Sequence, residues 1–189
     1  QNVNQLNAKG IDFEVNYRQP IGSNNNLNLS LLASHVRDLV TVDAVGPTER
    51  AGQTGLRGGT PPGIPDWTLD ANASLELGEL FMFNTHVRWI NKGFYNAQFY
   101  GPGHPRFMLT GPDAGLSSSR NDMPSRTYVD LMGTVKVPVG GENKFSVYFG
   151  VDNVFNVDPP NFPGANGSGN NVLFNPVGRM YKAGVRAVF

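Results

Sequence analysis

The three histidines, His35, His86 and His104, are the first places to look for metal or acid–base chemistry. Their spacing argues against it. They lie in different segments, and none has a partner at i+2 or i+4, the intervals that put two ligands on one face of a strand or helix. No metal site is read from them. His86, two residues before Arg88, is expected to be a solvated or paired side chain. Carboxylates at Asp12, Glu14, Asp70, Glu76, Asp130 and Asp152 could move protons. However, Arg18, Arg88, Lys136, Lys182 and Arg186 fall on the same polar face, and opposite charges across strands stabilise modestly. No isolated acid–base dyad stands out, and no G-x-S-x-G nucleophile elbow occurs. The clusters Gly55-Leu-Arg-Gly-Gly59 and Gly101-Pro-Gly103 lack the strand–turn–helix setting of a phosphate loop and read as loop punctuation. The chain is expected not to be an enzyme and to need no cofactor.

The residue types support binding instead. The stretch Asn91–Arg126 holds Phe94, Tyr95, Phe99, Tyr100, His104, Arg106 and Phe107, interleaved with Asn96 and Gln98. Aromatic rings beside amides suit stacking on, and hydrogen bonding to, a sugar or an aromatic siderophore. The same rings could equally pack one loop against another. Arg50 and Arg57, in Asp43–Asp66, are candidate anchors for an anionic ligand. The candidate ligand-binding set is therefore Phe94, Tyr95, Gln98, Phe99, Tyr100, His104, Arg106, Arg50 and Arg57.

Those loops are held by strands with a period of two. In 11–18, Ile11, Phe13, Val15 and Tyr17 alternate with charged or amide residues. The same alternation runs through 27–34, 67–77, 81–89, 127–137, 144–153 and 180–189, giving seven strands. In these windows the charged residues lie on the polar face. Strands that cross a bilayer need about 9–11 residues, whereas soluble strands average about 5–6. Tyr17, Trp67, Phe81, Trp89, Phe145, Tyr181 and Phe189 lie near strand ends on the apolar face, where an interfacial aromatic girdle would sit.

The connections come in two sizes, in rotation. Ile21–Asn26, Gly78–Leu80 and Pro138–Asn143 are short, while Asp43–Asp66, Asn91–Arg126 and Val154–Gly178 are long. Short turns on one side and long loops on the other mark a transmembrane β-barrel. Compact soluble domains seldom carry loops longer than about 12–15 residues. Composition agrees. Charged residues are 16%, with 15 basic and 15 acidic, so no basic patch invites a nucleic acid. There is no cysteine, hence no disulfide framework or thiolate site. No run approaches the roughly 20 apolar residues of a spanning helix.

Seven strands are an odd number for a single-chain bacterial barrel, and an unclosed sheet leaves backbone groups unsatisfied in lipid. The chain also starts at Gln1, without an initiator methionine. It is therefore expected to be the C-terminal piece of a larger barrel.

Three segments carry a resemblance. Asn7-Ala-Lys-Gly-Ile-Asp-Phe-Glu-Val-Asn-Tyr17 resembles a barrel strand of TonB-dependent outer-membrane receptors. Phe149-Gly-Val-Asp-Asn-Val-Phe-Asn156 is similar to their penultimate strand, and Asn175–Phe189 to their terminal one. The last residues also resemble the outer-membrane assembly signal: Lys182, Gly184, Ala187 in a slot usually filled by a larger apolar residue, and Phe189. The resemblance implies an all-β, antiparallel transmembrane β-barrel segment spanning 1–189, within a barrel of about 22 strands. It implies an N-terminal plug domain, absent here, and TonB-energised uptake of a scarce ligand, a carbohydrate or a ferric siderophore. Its partners would be outer-membrane lipid, that plug, the TonB complex and the barrel-assembly machinery, in the outer membrane of a Gram-negative bacterium. Two alternatives remain: a complete small barrel acting as anchor or adhesin, with an eighth strand hidden in Asn91–Arg126, or a soluble β-sandwich that binds carbohydrate.

Overall fold

The computed structural model describes residues 5–44, 46–55, 63–138, 144–161 and 172–188. The period-two pattern forms strands in every window where it occurs. They are β1 (Gln5–Ile21), β2 (Asn25–Asp43), β3 (Gly46–Glu49), β4 (Trp67–Leu77), β5 (Phe81–Ile90), β6 (Gly93–Phe94), β7 (Asp122–Met123), β8 (Arg126–Pro138), β9 (Lys144–Asp152) and β10 (Met180–Val188). The seven long strands make one antiparallel sheet in the order β1-β2-β4-β5-β8-β9-β10, and β3 folds back onto β2. The sheet is not closed: among the described residues β1 pairs only with β2, and β10 only with β9. A soluble sandwich would need a second facing sheet. Asn91–Arg126 adds no eighth strand to the wall, because β6 and β7 pair with each other.

Register makes each face chemically uniform. Phe13 lies opposite Ala33, Ala33 opposite Leu69, and Leu69 opposite Trp89. Three residues along, Asn16, Ser30, Asn72, His86 and Asp130 form a polar row across five strands. Large apolar side chains stand uncovered on the first face, among them Phe13 (52% exposed), Phe83 (49%) and Phe149 (55%). An apolar surface of this extent is a contact surface for lipid or another apolar body. The polar face is the inner one, since Phe174 packs there against Ile90 and Tyr128.

Turn chemistry fits the short side. Gly22 (φ 67°) and Gly78 (φ 58°) occupy left-handed positions in the turns after β1 and β4, which glycine tolerates without a Cβ clash. At 17 and 19 residues, β1 and β2 run well past the 9–11 needed to span a bilayer, and the surplus rises on the long-loop side. A register shift at Lys9/Gly10 leaves Arg37 as an extra residue of β2. Beyond it the outward row of β2 changes from odd to even numbers. Asp38 then faces out beside Lys9, and Leu39 and Thr41 turn inward and are buried. The bulge therefore lies where the outer face stops being apolar.

Candidate functional site

The long-loop side is built on two corner ties. Asp66, just before β4, accepts hydrogen bonds from the Asn91 side chain (3.1 and 3.3 Å) and from the Trp67 amide (2.9 Å). Its carbonyl accepts from the Val36 amide at 2.8 Å and lies 2.9 Å from His35 Nδ1. One residue thus joins β2, β4 and β5. The second tie is Asn153, with φ 52°, whose side chain donates to and accepts from Val157, while its amide donates to Asp130. Asp130 also contacts His86 at 3.2 Å, and His86 reaches Asp70 at 2.9 Å, so a polar chain crosses β4, β5 and β8 and ends at the last long loop. In that loop, Arg88 donates to the Leu173 carbonyl, and Arg126 donates to the Asp158 carbonyl.

The first two long loops form a knot. The Phe94 amide donates to Gly52 O (3.0 Å), the Thr54 amide to Phe94 O (2.8 Å), and the Tyr95 amide to Asn121 O (2.7 Å). Backbones approach so closely that a Cβ on Gly93 would lie 2.1 Å from Gly52 O, which only glycine permits. Asn121 further binds the Asn96 backbone at both ends. Arg50, fully buried, donates from Nε to Thr41 Oγ1 (2.8 Å) and from Nη1 to Gln53 Oε1 (3.1 Å). Burial lowers its pKa from the usual arginine value.

The candidate ligand residues separate into two groups. Phe94 and Tyr95 belong to the knot; Tyr95 is only 8% exposed and its ring lies 5.9 Å from Phe99. Gln98 is half-buried, with its amide on Asn96 Oδ1. Arg50 is interior, and Arg57 lies outside the described residues. At the open end of the loop, His104 stacks on Tyr100 (4.5 Å, 15°), and the Arg106 guanidinium lies 4.7 Å from the same ring. Arg106 forks across Asp113, with both contacts at 2.8 Å. That hydrogen bonding holds the Asp113 carboxyl below its ordinary pKa. Tyr100, His104 and Arg106 are thus brought together as a preorganised, half-exposed stack whose cation is already neutralised. Such a unit offers planes and N–H donors rather than free positive charge.

Asp113, Asp66 and Gln53 were not singled out by sequence. Asp113 sits seven residues from its arginine in a Gly-Pro-rich stretch, and no local pattern marks it.

At the other edge, Lys182 meets Asp152 at 2.6 Å with its stem lying across Gly150. Gly184 lies under the Tyr148 ring, where a Cβ would come 2.3 Å from the hydroxyl. Ala187 is exposed, and Phe189 lies outside the described residues.

The family model described as TonB dependent receptor-like, beta-barrel, matches residues 1–154, which takes in β1 through β9. No curated protein and no solved structure gives a match.

Proposed function

The chain belongs to the TonB-dependent receptor-like β-barrel family, and from that premise we propose that residues 1–189 form the C-terminal wall of a larger outer-membrane barrel. Its long loops would bind a scarce ligand for TonB-energised uptake. The family itself consists of outer-membrane receptors that transport, not enzymes. The observation that carries the larger-barrel reading is the open sheet. Among the described residues, β1 and β10 each present an unpaired edge beside an apolar outer face. In lipid each unsatisfied backbone group costs several kcal/mol, so further strands must cover both edges. A plug would fill the polar inner face, and the assembly machinery would read the β10 end through Lys182, Gly184, Ala187 and Phe189.

The ligand is proposed to be a carbohydrate in preference to a ferric siderophore. Support comes from the Tyr100–His104–Arg106 stack with its internal counter-charge, which suits a neutral, hydroxyl-rich ring better than an anion. Binding of oligosaccharides and of ferric chelates to the whole receptor in detergent tests the reading. Tyr100→Ala is expected to weaken oligosaccharide binding about tenfold, the loss of one stacking contact of about 1.4 kcal/mol. Unchanged affinity would remove this site, and tighter binding of ferric chelates would reverse the ligand class.

A further inference from the structure

A histidine on the polar inner face has surroundings that its neutral form cannot satisfy. His86 Nε2 lies 2.9 Å from Asp70 Oδ2 on β4, and His86 Nδ1 lies 3.2 Å from Asp130 Oδ2 on β8. A neutral imidazole carries one N–H and one lone pair. Either tautomer would turn its lone pair onto a carboxylate oxygen. Only the imidazolium, with an N–H at each nitrogen, donates to both.

The neighbours fix the two carboxylates and leave the ring as the variable member. Asp70 Oδ1 accepts from Asn72 Nδ2 (3.3 Å), and Asp130 Oδ1 accepts from the Asn153 amide (2.8 Å). On β2, uncharged Ser30 and Leu32 lie opposite Asn72 and Asp70. The other charged groups of this wall are engaged elsewhere. Arg88 donates to the Leu173 carbonyl, Arg126 to the Asp158 carbonyl, Lys182 to Asp152 (2.6 Å), and Glu14 accepts from Asn16 (2.7 Å). Tyr128 packs with Ile90 and Phe174. Among the described residues, no lysine or arginine forms an ion pair with Asp70 or Asp130.

Asp130 carries the state of the ring to the last long loop. Asn153 is 1% exposed and has φ 52°, a left-handed conformation that a non-glycine residue keeps where its bonds hold it. Its side chain accepts from the Val157 amide (2.8 Å) and donates to the Val157 carbonyl (3.0 Å).

We propose that His86 is a proton-operated clamp on the last long loop: its imidazolium draws Asp70 and Asp130 together and so seats the Asn153–Val157 corner, and loss of the proton releases it. After that loss one N–H remains, and the shorter contact, to Asp70, keeps it. The lone pair on Nδ1 then repels Asp130. A carboxylate moves as one rigid group, so when Oδ2 swings away, the bond from Oδ1 to the Asn153 amide weakens with it. A group whose cation is the form that the fold bonds contributes at low pH and loses that contribution as pH rises. The receptor would hold this corner tight in acid medium and loosen it in alkaline medium, whichever ligand class it takes.

Two readouts on the whole receptor in detergent test the clamp between about pH 5 and about pH 9. Nitrogen NMR of histidine-labelled receptor should show the His86 ring, assigned through His86→Gln, protonated at both nitrogens at the acid end and at one nitrogen at the alkaline end. Exchange of the Asn153 and Val157 amides, corrected for intrinsic rate and referenced to Val147 in β9, should quicken several-fold over the same interval. In His86→Gln it should be fast at both ends, since glutamine has no proton to lose. If that variant does not assemble, His35→Gln and His104→Gln assign the His86 signal by elimination, and the unaltered chain decides. A neutral His86 ring at the acid end, exchange that does not change with pH, or the same pH response in His86→Gln would overturn the proposal.

Discussion

At the scale of single residues, function on the loops depends on pairs that no local pattern announces. Arg106 is exposed and would read as a ready anchor for an anion, but Asp113 occupies its fork. The Asp113 carboxyl is depressed by that hydrogen bond and by the arginine charge. A depressed carboxylate contributes above its unfolded pKa and loses that contribution as pH falls through the folded value. Protection of the Ser117 and Ser118 amides from hydrogen exchange, corrected for intrinsic rate, should therefore hold at neutral pH and fall below pH about 4. In Asp113→Asn it should be low throughout; pH-independent protection in the unaltered chain would refute the tie. Gly184 gives a second residue-scale expectation. Its bare backbone receives the Tyr148 ring, so Gly184→Val should force the ring aside and cost about 1–3 kcal/mol of overpacking. Tyr148→Ala in the same chain should recover part of the lost assembly, scored as heat-modifiable barrel in outer membranes.

At the scale of elements, the wall was legible and the loops were not. Every one of the seven alternating windows became a strand, because which face a strand residue occupies follows from local geometry alone. The upper halves of β1 and β2 escaped the reading. Lys9, Arg37 and Asp38 break the apolar alternation there, and the bulge at Arg37 changes its parity. The corner at Asp66 escaped too, since its partners Asn91, Val36 and Trp67 come from three different strands or their ends. Asp66→Ala should cost about 1–3 kcal/mol, as the Asn91 amide loses its acceptor in a part-buried corner. Hydrogen exchange should quicken at Trp67 and Asn91 but not at Val147 or Val185; a uniform change would mean that Asp66 is no local tie.

At the scale of the whole molecule, the two faces of the sheet carry opposite rules. Leu29→Arg, on the apolar face, should cost about 2–4 kcal/mol if that row lies near the bilayer midplane. Asn72→Lys, on the polar row that crosses Ser30 and His86, should stay within about 0.5 kcal/mol. Equal penalties for the two in a urea titration of the reconstituted receptor would refute the facing. The sequence by itself determined the seven strands, their two faces, the split between short turns and long loops, and the family. The strands, faces and loop sizes follow from period and length, which a strand expresses wherever it is placed; the family follows from the residues of particular segments. Only the tertiary structure decided which loop residues reach the surface. It buried Tyr95 and Arg50, grouped Tyr100 with His104 and Arg106, and left the sheet open at β1 and β10. Those outcomes depend on backbones meeting across long chain separations, as at Gly52 and Gly93, and no local pattern encodes such a meeting.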